Sequence, residues 1–248
     1  MDYIFDLLTR ISWRLGAIVP DYREILFEEL IARLGDKRPL QILEIGPKDG
    51  QDTKRLMQLN PEKLVLVDLP DKEADVREWL KKLPSNNIEL IMGNIMYGDL
   101  IAKLGSFDLV WCTGVLYHNP EQLRMIRILV DFLNPGGILV LESVTARRHH
   151  LRNEACVEIW HNIKKTEHKR HHVSRNVTHL PSQLAIKAWL EMVGMQDIRQ
   201  SRSHSCVLRK LAKTRVAYIS YKPLEDASLT PSTYYHVAGL DYEIGRSF

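Results

Sequence analysis

The run Gln41-Ile-Leu-Glu-Ile-Gly-Pro-Lys-Asp-Gly50 sets an acidic residue, Glu44, near the end of an apolar stretch and follows it with a turn punctuated by Gly46 and Gly50. Glycine suits a backbone that must turn sharply or lie against a ligand with no Cβ in the way, and many nucleotide-binding α/β domains begin like this. Glu44 would face the ligand from the strand end. The residues after Gly50, Thr53 among them, read as a helix whose first amides point at the same pocket. Glycine-rich turns also join strand to helix with no ligand, so this motif needs company. Company follows in Asp68, which closes the β-branched run Lys63–Asp68 one helix later, where a carboxylate beside Leu69 can accept both ribose hydroxyls. Asn94, between Gly93 and Ile95, offers an amide to an adenine edge or serves as a turn residue. His118 follows Ser106–Tyr117 at the carboxyl end of a fourth strand, where an imidazole titrating near neutrality could take a proton from a hydroxyl or cap the helix start at Asn119-Pro120.

The elements that must position these groups are legible in the same way. Asn134-Pro-Gly-Gly137 is a turn before a fifth strand, Ile138–Glu142, and Pro181 to Val193 reads as a helix opened by Ser182 and closed by Gly194. Asp197–Gln200 and Arg215–Tyr221 form an antiparallel edge pair. Ahead of the first strand, Ile4, Leu7, Leu8, Ile11 and Leu15 interleave with charges, and Tyr22–Leu34 repeats the pattern after a break at Val19-Pro20-Asp21. Two amphipathic helices result, the second capped by Asp21, covering the sheet edge or closing the substrate pocket.

In order and spacing, Glu44-x-Gly46-x-x-x-Gly50, Asp68, Phe107-Asp-Leu-Val and Asn134-Pro-Gly-Gly-Ile-Leu-Val resemble the class I S-adenosylmethionine-dependent methyltransferases over roughly residues 35 to 222. The resemblance implies a doubly wound, mostly parallel, seven-stranded α/β sheet and S-adenosylmethionine as cofactor, bound at Glu44, Gly46, Pro47, Lys48, Gly50, Thr53, Asp68, Leu69, Asn94, Ile95, Cys112, Thr113 and Tyr117. One departure stands out, since Lys48 occupies the position of the central motif glycine. Its side chain could crowd the methionine end, or its ammonium could pair with the cofactor carboxylate. In parts the chain is also similar to the tRNA uridine carboxymethyltransferases, through Gly114-Val-Leu-Tyr-His118, Arg175-Asn-Val-Thr-His-Leu-Pro-Ser182, Ala188–Ile198 and Thr214–Pro223. That family uses a carboxylated cofactor, and Arg215 falls where it places an arginine for the extra carboxylate. The Trp-Arg-Lys-Gly-Pro-Phe-like segment of that family has no match before residue 40.

Residues 147–180 carry a dense run of arginine, lysine and histidine, read as a helical cover for an anionic substrate or as a solvated face. Arg147, His149, His150, Arg175, His179 and Arg215 are the substrate-binding candidates, and His118 is the catalytic one, with His149, His150 or His179 in reserve. His168 and His172 have a helical metal spacing, but Lys169 and Arg170 between them would repel a cation, so no metal is expected. The expected organisation is a helical cap over 1–36, a methyltransferase domain over 37–222 and a tail over 223–248 that wraps the body or contacts a partner subunit in a homo-oligomer.

The 248 residues suffice for one α/β domain, and a net charge of +3 leaves attraction to polyanions to local clusters. Three widely spaced cysteines and an N-terminal apolar stretch interrupted by Asp2, Asp6, Arg10 and Arg14 point to a reducing cytosol, with no signal peptide and no membrane span. The chain lacks the Asn/Asp-Pro-Pro-Tyr/Phe tetrad of DNA base-amine methylases. Three functions fit: methyl transfer to oxygen of a small, sugar-like or biosynthetic acceptor with an anionic group; modification of a tRNA wobble uridine; and a non-catalytic binding protein on a cofactor fold.

Overall fold

The computed structural model describes residues 21–37, 40–83, 87–97, 100, 104–161, 177–204 and 215–224. Seven strands form one sheet in the order β3-β2-β1-β4-β5-β9-β8, built from β1 (Gln41–Ile45), β2 (Lys63–Asp68), β3 (Ile88–Met92), β4 (Phe107–Thr113), β5 (Leu133–Val144), β8 (Gln196–Gln200) and β9 (Arg215–Tyr221). Strands β1 to β5 run parallel, giving the mostly parallel seven-stranded sheet that the resemblance implies, and β9 enters antiparallel between β5 and β8. The carboxyl ends of β1 to β5 therefore share one edge, and the reversed β9 begins there, with Arg215 opposite Val144. The strand reversal next to β1 creates the crevice in which open α/β sheets bind ligands.

The inner strands β1, β2, β4, β5 and β9 bury both faces, which explains why their runs are nearly continuous in apolar residues rather than alternating. On one face Ile42, Leu64, Leu66, Leu109, Trp111, Ile138, Val140, Ala217 and Ile219 meet Leu26, Phe27, Leu30 and Leu34 of α1 (Tyr22–Leu34) and Leu56 of α2 (Gln51–Met57). Trp79 and Leu80 of α3 (Glu73–Leu80) join from the margin. The opposite rows, Leu43, Val65, Val110, Leu139 and Leu141 among them, pack on Met125, Ile126 and Leu129 of α4 (Gln122–Asp131) and on Ile186 and Leu190 of α5 (Gln183–Met192).

Local signals account for the ends. Asp21 caps α1 by accepting the Arg23 amide at 3.0 Å, and Ser182 caps α5 by accepting the Ala185 amide at 3.0 Å. The 147–180 segment corrects the expected helical cover: among the described residues it holds a 3-10 turn, His149–Asn153, and an antiparallel pair, β6 (Val157–His161) with β7 (Val177–Pro181). Within β6, Glu158 is buried and accepts the Arg147 and Arg148 amides, while Val157, Ile159 and Trp160 stand exposed. The helical reading of 1–20, together with Arg175, His168, His172, Cys206 and the tail beyond 224, lies outside the described residues. Among the described residues, no helix is long and apolar enough to cross a membrane.

Phe27 is fully enclosed between α1 and the sheet, so Phe27→Ala should cost about 3–5 kcal/mol of unfolding free energy. Denaturant titration monitored by circular dichroism reads this directly, and a loss under 1 kcal/mol would mean that α1 is only loosely seated.

Candidate functional site

The strand rows that are apolar in mid-sheet turn polar at the carboxyl edge. On the face covered by α1 and α2, Ile42 is followed by Glu44, Trp111 by Thr113 and Val140 by Glu142, while Arg215 begins the row that continues with Ala217. The period of two that fills the core thus delivers four polar side chains to one end of it.

Glu44 is buried and accepts a hydrogen bond from Thr53 Oγ1 at 2.7 Å. Burial, and then the negative charge of Asp52, push its carboxyl up to about 8, so it is mostly protonated at neutral pH. Its direct partner is the first turn of α2. Asp52 keeps its charge partners close: its Oδ2 accepts from Thr113 Oγ1 at 2.7 Å, Trp111 Nε1 at 3.1 Å and Arg23 Nε at 3.2 Å. Arg55 on the next helical turn reaches back to α1, binding Asp21 at 2.7 Å and Glu24 at 3.0 Å.

Glu142 solves its burial differently. Arg215 clasps it through two nitrogens, Nη2 to Oε2 at 2.8 Å and Nε to Oε1. Burial alone would raise Glu142, but the Arg215 charge and hydrogen bonds outweigh it and hold the carboxyl below its ordinary value. His204 Nε2 stands 3.6 Å from Oε1, the Tyr22 ring lies 4.7 Å from His204, and the Arg215 guanidinium sits 5.6 Å from the Tyr22 ring and 5.9 Å from that of Tyr117. Burial raises both tyrosines, so both are neutral phenols.

The loop after β1 carries three left-handed residues, Gly46 at φ 72°, Lys48 at φ 49° and Gly50 at φ 72°. Lysine therefore keeps the backbone shape that a glycine at this position would adopt freely, with its side chain exposed and not crowding the pocket. A Cβ at Gly46 would come within 2.7 Å of Val115, and one at Gly50 within 2.5 Å of the Trp79 indole, so both glycines are demanded by the loop's own packing. Pro47 is buried, and its carbonyl accepts the Gly50 amide at 2.8 Å. At the end of β2 the half-buried Asp68 carboxylate accepts the Leu69 amide at 2.8 Å and is also bonded by the Lys48 backbone. A partly exposed carboxylate fixed to a tight glycine loop fits the ribose end of a nucleoside cofactor.

The other sequence candidates divide clearly. Asn94 and Ile95 follow β3 at the same edge, where Asn94 Oδ1 accepts the Met96 amide at 3.0 Å in a local turn and Ile95 is buried. Cys112 points into the opposite core face and is fully buried, so β4 offers a ligand its backbone there and the Thr113 side chain beyond it. Tyr117 and His118 lie in a 3-10 turn just past β4, half-buried, with ring centroids 4.0 Å apart. His179 is on β7, which packs beside that turn: Gln122 Nε2 bonds the His179 carbonyl at 2.6 Å and the Leu116 carbonyl at 3.2 Å. Arg147 and His150 are exposed, Arg147 lying 4.9 Å over the Trp160 ring, and His149 opens the neighbouring 3-10 turn. Sequence reading passed over Tyr22, Arg23, Asp52, Glu142 and His204. Glu142 had a usable signal, a carboxylate inside the strand run Ile-Leu-Val-Leu-Glu-Ser-Val, since a charge in a buried strand must find a partner.

A parallel sheet with its order reversed beside β1, a left-handed glycine loop and an acid at the end of β2 define the class of nucleoside-cofactor-binding α/β domains. Within that class, residues 21–200 match the family described as the methyltransferase domain, and the chain belongs to that family. It is similar to the tRNA U34 carboxymethyltransferase of Klebsiella pneumoniae, with 29% identity over 200 residues, 81% of this chain and 56% of the relative. The enzyme of the same name from Pseudomonas aeruginosa is 29% identical over 201 residues, covering 76% of this chain and 57% of the relative. The chain thus spans a little over half the length of these curated relatives. Among solved structures, the glycopeptide N-methyltransferase MtfA complexed with S-adenosyl-L-methionine superposes with a TM-score of 0.59 at 15% identity, covering 83% of this chain and 95% of that one. An S-adenosylmethionine-dependent methyltransferase from Mesorhizobium loti gives 0.56 at 16% identity, covering 80% and 98%. These likenesses show the shared fold.

Glu142→Ala leaves the Arg215 cation without its buried partner and should lower unfolding free energy by about 3–5 kcal/mol at neutral pH. Because the folded state holds Glu142 below its ordinary 4.5, its contribution is full above that value and fades as pH falls through the folded one. Urea titrations should therefore show the gap between wild type and variant closing in acid.

Proposed function

We propose that this chain is an S-adenosylmethionine-dependent methyltransferase acting on an oxygen of a small hydroxylated acceptor, sugar-like or biosynthetic, that bears an anionic group. The observation that carries the cofactor half of this reading is the Asp68 carboxylate, partly exposed and bonded by the backbone of the left-handed Gly46–Gly50 loop. When bound, the cofactor supplies an electrophilic methyl group on a sulfonium. Gly46, Pro47, Lys48 and Gly50 would hold the methionine side, with Thr53 behind them. Asp68 and Leu69 would hold the ribose, Asn94 and Ile95 the base, and the Cys112 and Thr113 backbone with Tyr117 the crevice wall.

Methyl transfer asks the protein mainly to align the acceptor and, for a hydroxyl nucleophile, to remove a proton. His118 is the proposed base, taking that proton on its imidazole from its position just beyond β4. Arg147, His149, His150, Arg175 and His179 are proposed as the acceptor's anion-binding surroundings. Arg215 is the sixth such candidate from the sequence, but two of its nitrogens are committed to Glu142, which favours an unmodified cofactor over one with an extra carboxylate.

A second reading has its own support. The curated relatives reported above are tRNA U34 carboxymethyltransferases, and the exposed Trp160 ring with Arg147 over it is chemistry suited to a nucleobase. Under that reading the acceptor is a wobble uridine and Arg215 meets a cofactor carboxylate.

Calorimetric titration of the full chain with S-adenosylmethionine and S-adenosylhomocysteine tests the cofactor. Saturable binding is expected, weakened at least tenfold in Asp68→Ala; no binding by wild type would overturn the reading. Incubation with methyl-labelled cofactor and either sugar-phosphate acceptors or bulk tRNA then separates the readings, and label in the tRNA fraction would favour the second.

A further inference from the structure

Asp52 is heavily connected at the carboxyl edge of the sheet. It stands on α2 two residues after Gly50, is nearly buried, and gathers one donor from β4's end, one from β4's interior and one from α1. Arg23 approaches its second oxygen at 3.2 Å and Arg55 at 3.6 Å. No other described carboxylate ties three elements together around the glycine loop. One residue along, Thr53 turns its hydroxyl to Glu44. The charged and titratable groups acting on Glu44 are Asp52 on α2, Asp68 at the end of β2 and Asp49 in the loop, all acidic, and no cation among the described residues forms an ion pair with it. Arg23 neutralises Asp52 from the side of α1.

We propose that Asp52 is a positioning residue for the cofactor site: it pins the helix after the glycine loop to β4 and α1, and through that helix it couples the seat of Arg23 on α1 to the Glu44 carboxyl at the end of β1. This rests on the methyltransferase reading. A cation bound over the end of β1 favours ionised Glu44, so binding of S-adenosylmethionine releases a proton from that carboxyl to solvent. Asp52 opposes the release by like-charge repulsion, and Arg23 eases it by offsetting Asp52. Docking of α1 through Arg23 is thereby linked to cofactor affinity.

The test is the pH profile of S-adenosylmethionine affinity, measured by calorimetry between neutral and alkaline pH for the full-length chain and three variants. Glu44→Gln should lose the rise in affinity that wild type shows as Glu44 ionises, leaving only the profile of the cofactor's own α-amino group. Asp52→Asn should move the midpoint of that rise to lower pH by about one unit for a neighbouring charge, and Arg23→Gln should move it to higher pH by a smaller amount. A merely structural defect would weaken binding without shifting midpoints in opposite directions. Should Asp52→Asn fail to fold in a melting assay, the upward shift in Arg23→Gln and its loss in Arg23→Gln/Glu44→Gln still decide the matter. Binding with midpoints unchanged in these variants overturns this proposal alone, whereas no binding by wild type overturns the methyltransferase reading and this proposal with it.

Discussion

A carboxyl group taken out of water must find a cation or keep its proton, and the carboxyl edge of this sheet uses both solutions on neighbouring strands. Glu142 has Arg215, and Glu44 has a threonine hydroxyl and an acidic neighbourhood. Asp52 on α2 is met by the Arg23 guanidinium and by two neutral donors of β4. The geometry of the crevice follows from satisfying these groups. β4 must end where Thr113 reaches Asp52, β9 must start where Arg215 reaches Glu142, and α1 must lie with its first turn over the same edge so that Tyr22 and Arg23 complete the set.

That requirement explains why an N-terminal helix that could have been a simple cover is part of the site. Its apolar stripe, Leu26, Phe27, Leu30 and Leu34, seats it on the sheet, and its charged first turn extends past the apolar rows onto the polar rim. Packing fixes where the helix lies, and Asp21, Arg23 and Glu24 fix its register against α2. A one-turn slide along the helix axis would break those charge contacts together.

Much of the fold was legible because doubly buried strands read as continuous apolar runs and because caps such as Asp21 and Ser182 have a local mechanism. Glycine positions, Asp68 and the antiparallel edge pair were legible for the same reason: each is set by residues close in sequence. The helical reading fails at Val157–His161 and Val177–Pro181 because a run dense in arginine, lysine and histidine says little about backbone period. The Asp52 and Glu142 networks escaped notice because their partners lie far along the chain. Thr113 is 61 positions from Asp52, and Arg215 is 73 from Glu142, distances at which one sequence carries no pairing signal. Lys48 is the instructive middle case, an apparent departure from a glycine motif that the backbone absorbs by adopting φ 49° without glycine.

The support of the glycine loop from outside has an optical side. Trp79 donates its indole N–H to the Lys48 carbonyl at 2.9 Å and packs on Gly50, while Trp111 donates to Asp52 on the helix that the loop opens. Two of the five tryptophans in the chain are thus bonded to the loop or to the helix it begins, one partly exposed and one fully enclosed. Any change in the loop's shape alters the polarity and hydrogen bonding around an indole, so the chain carries its own emission probes of this site, with no label added.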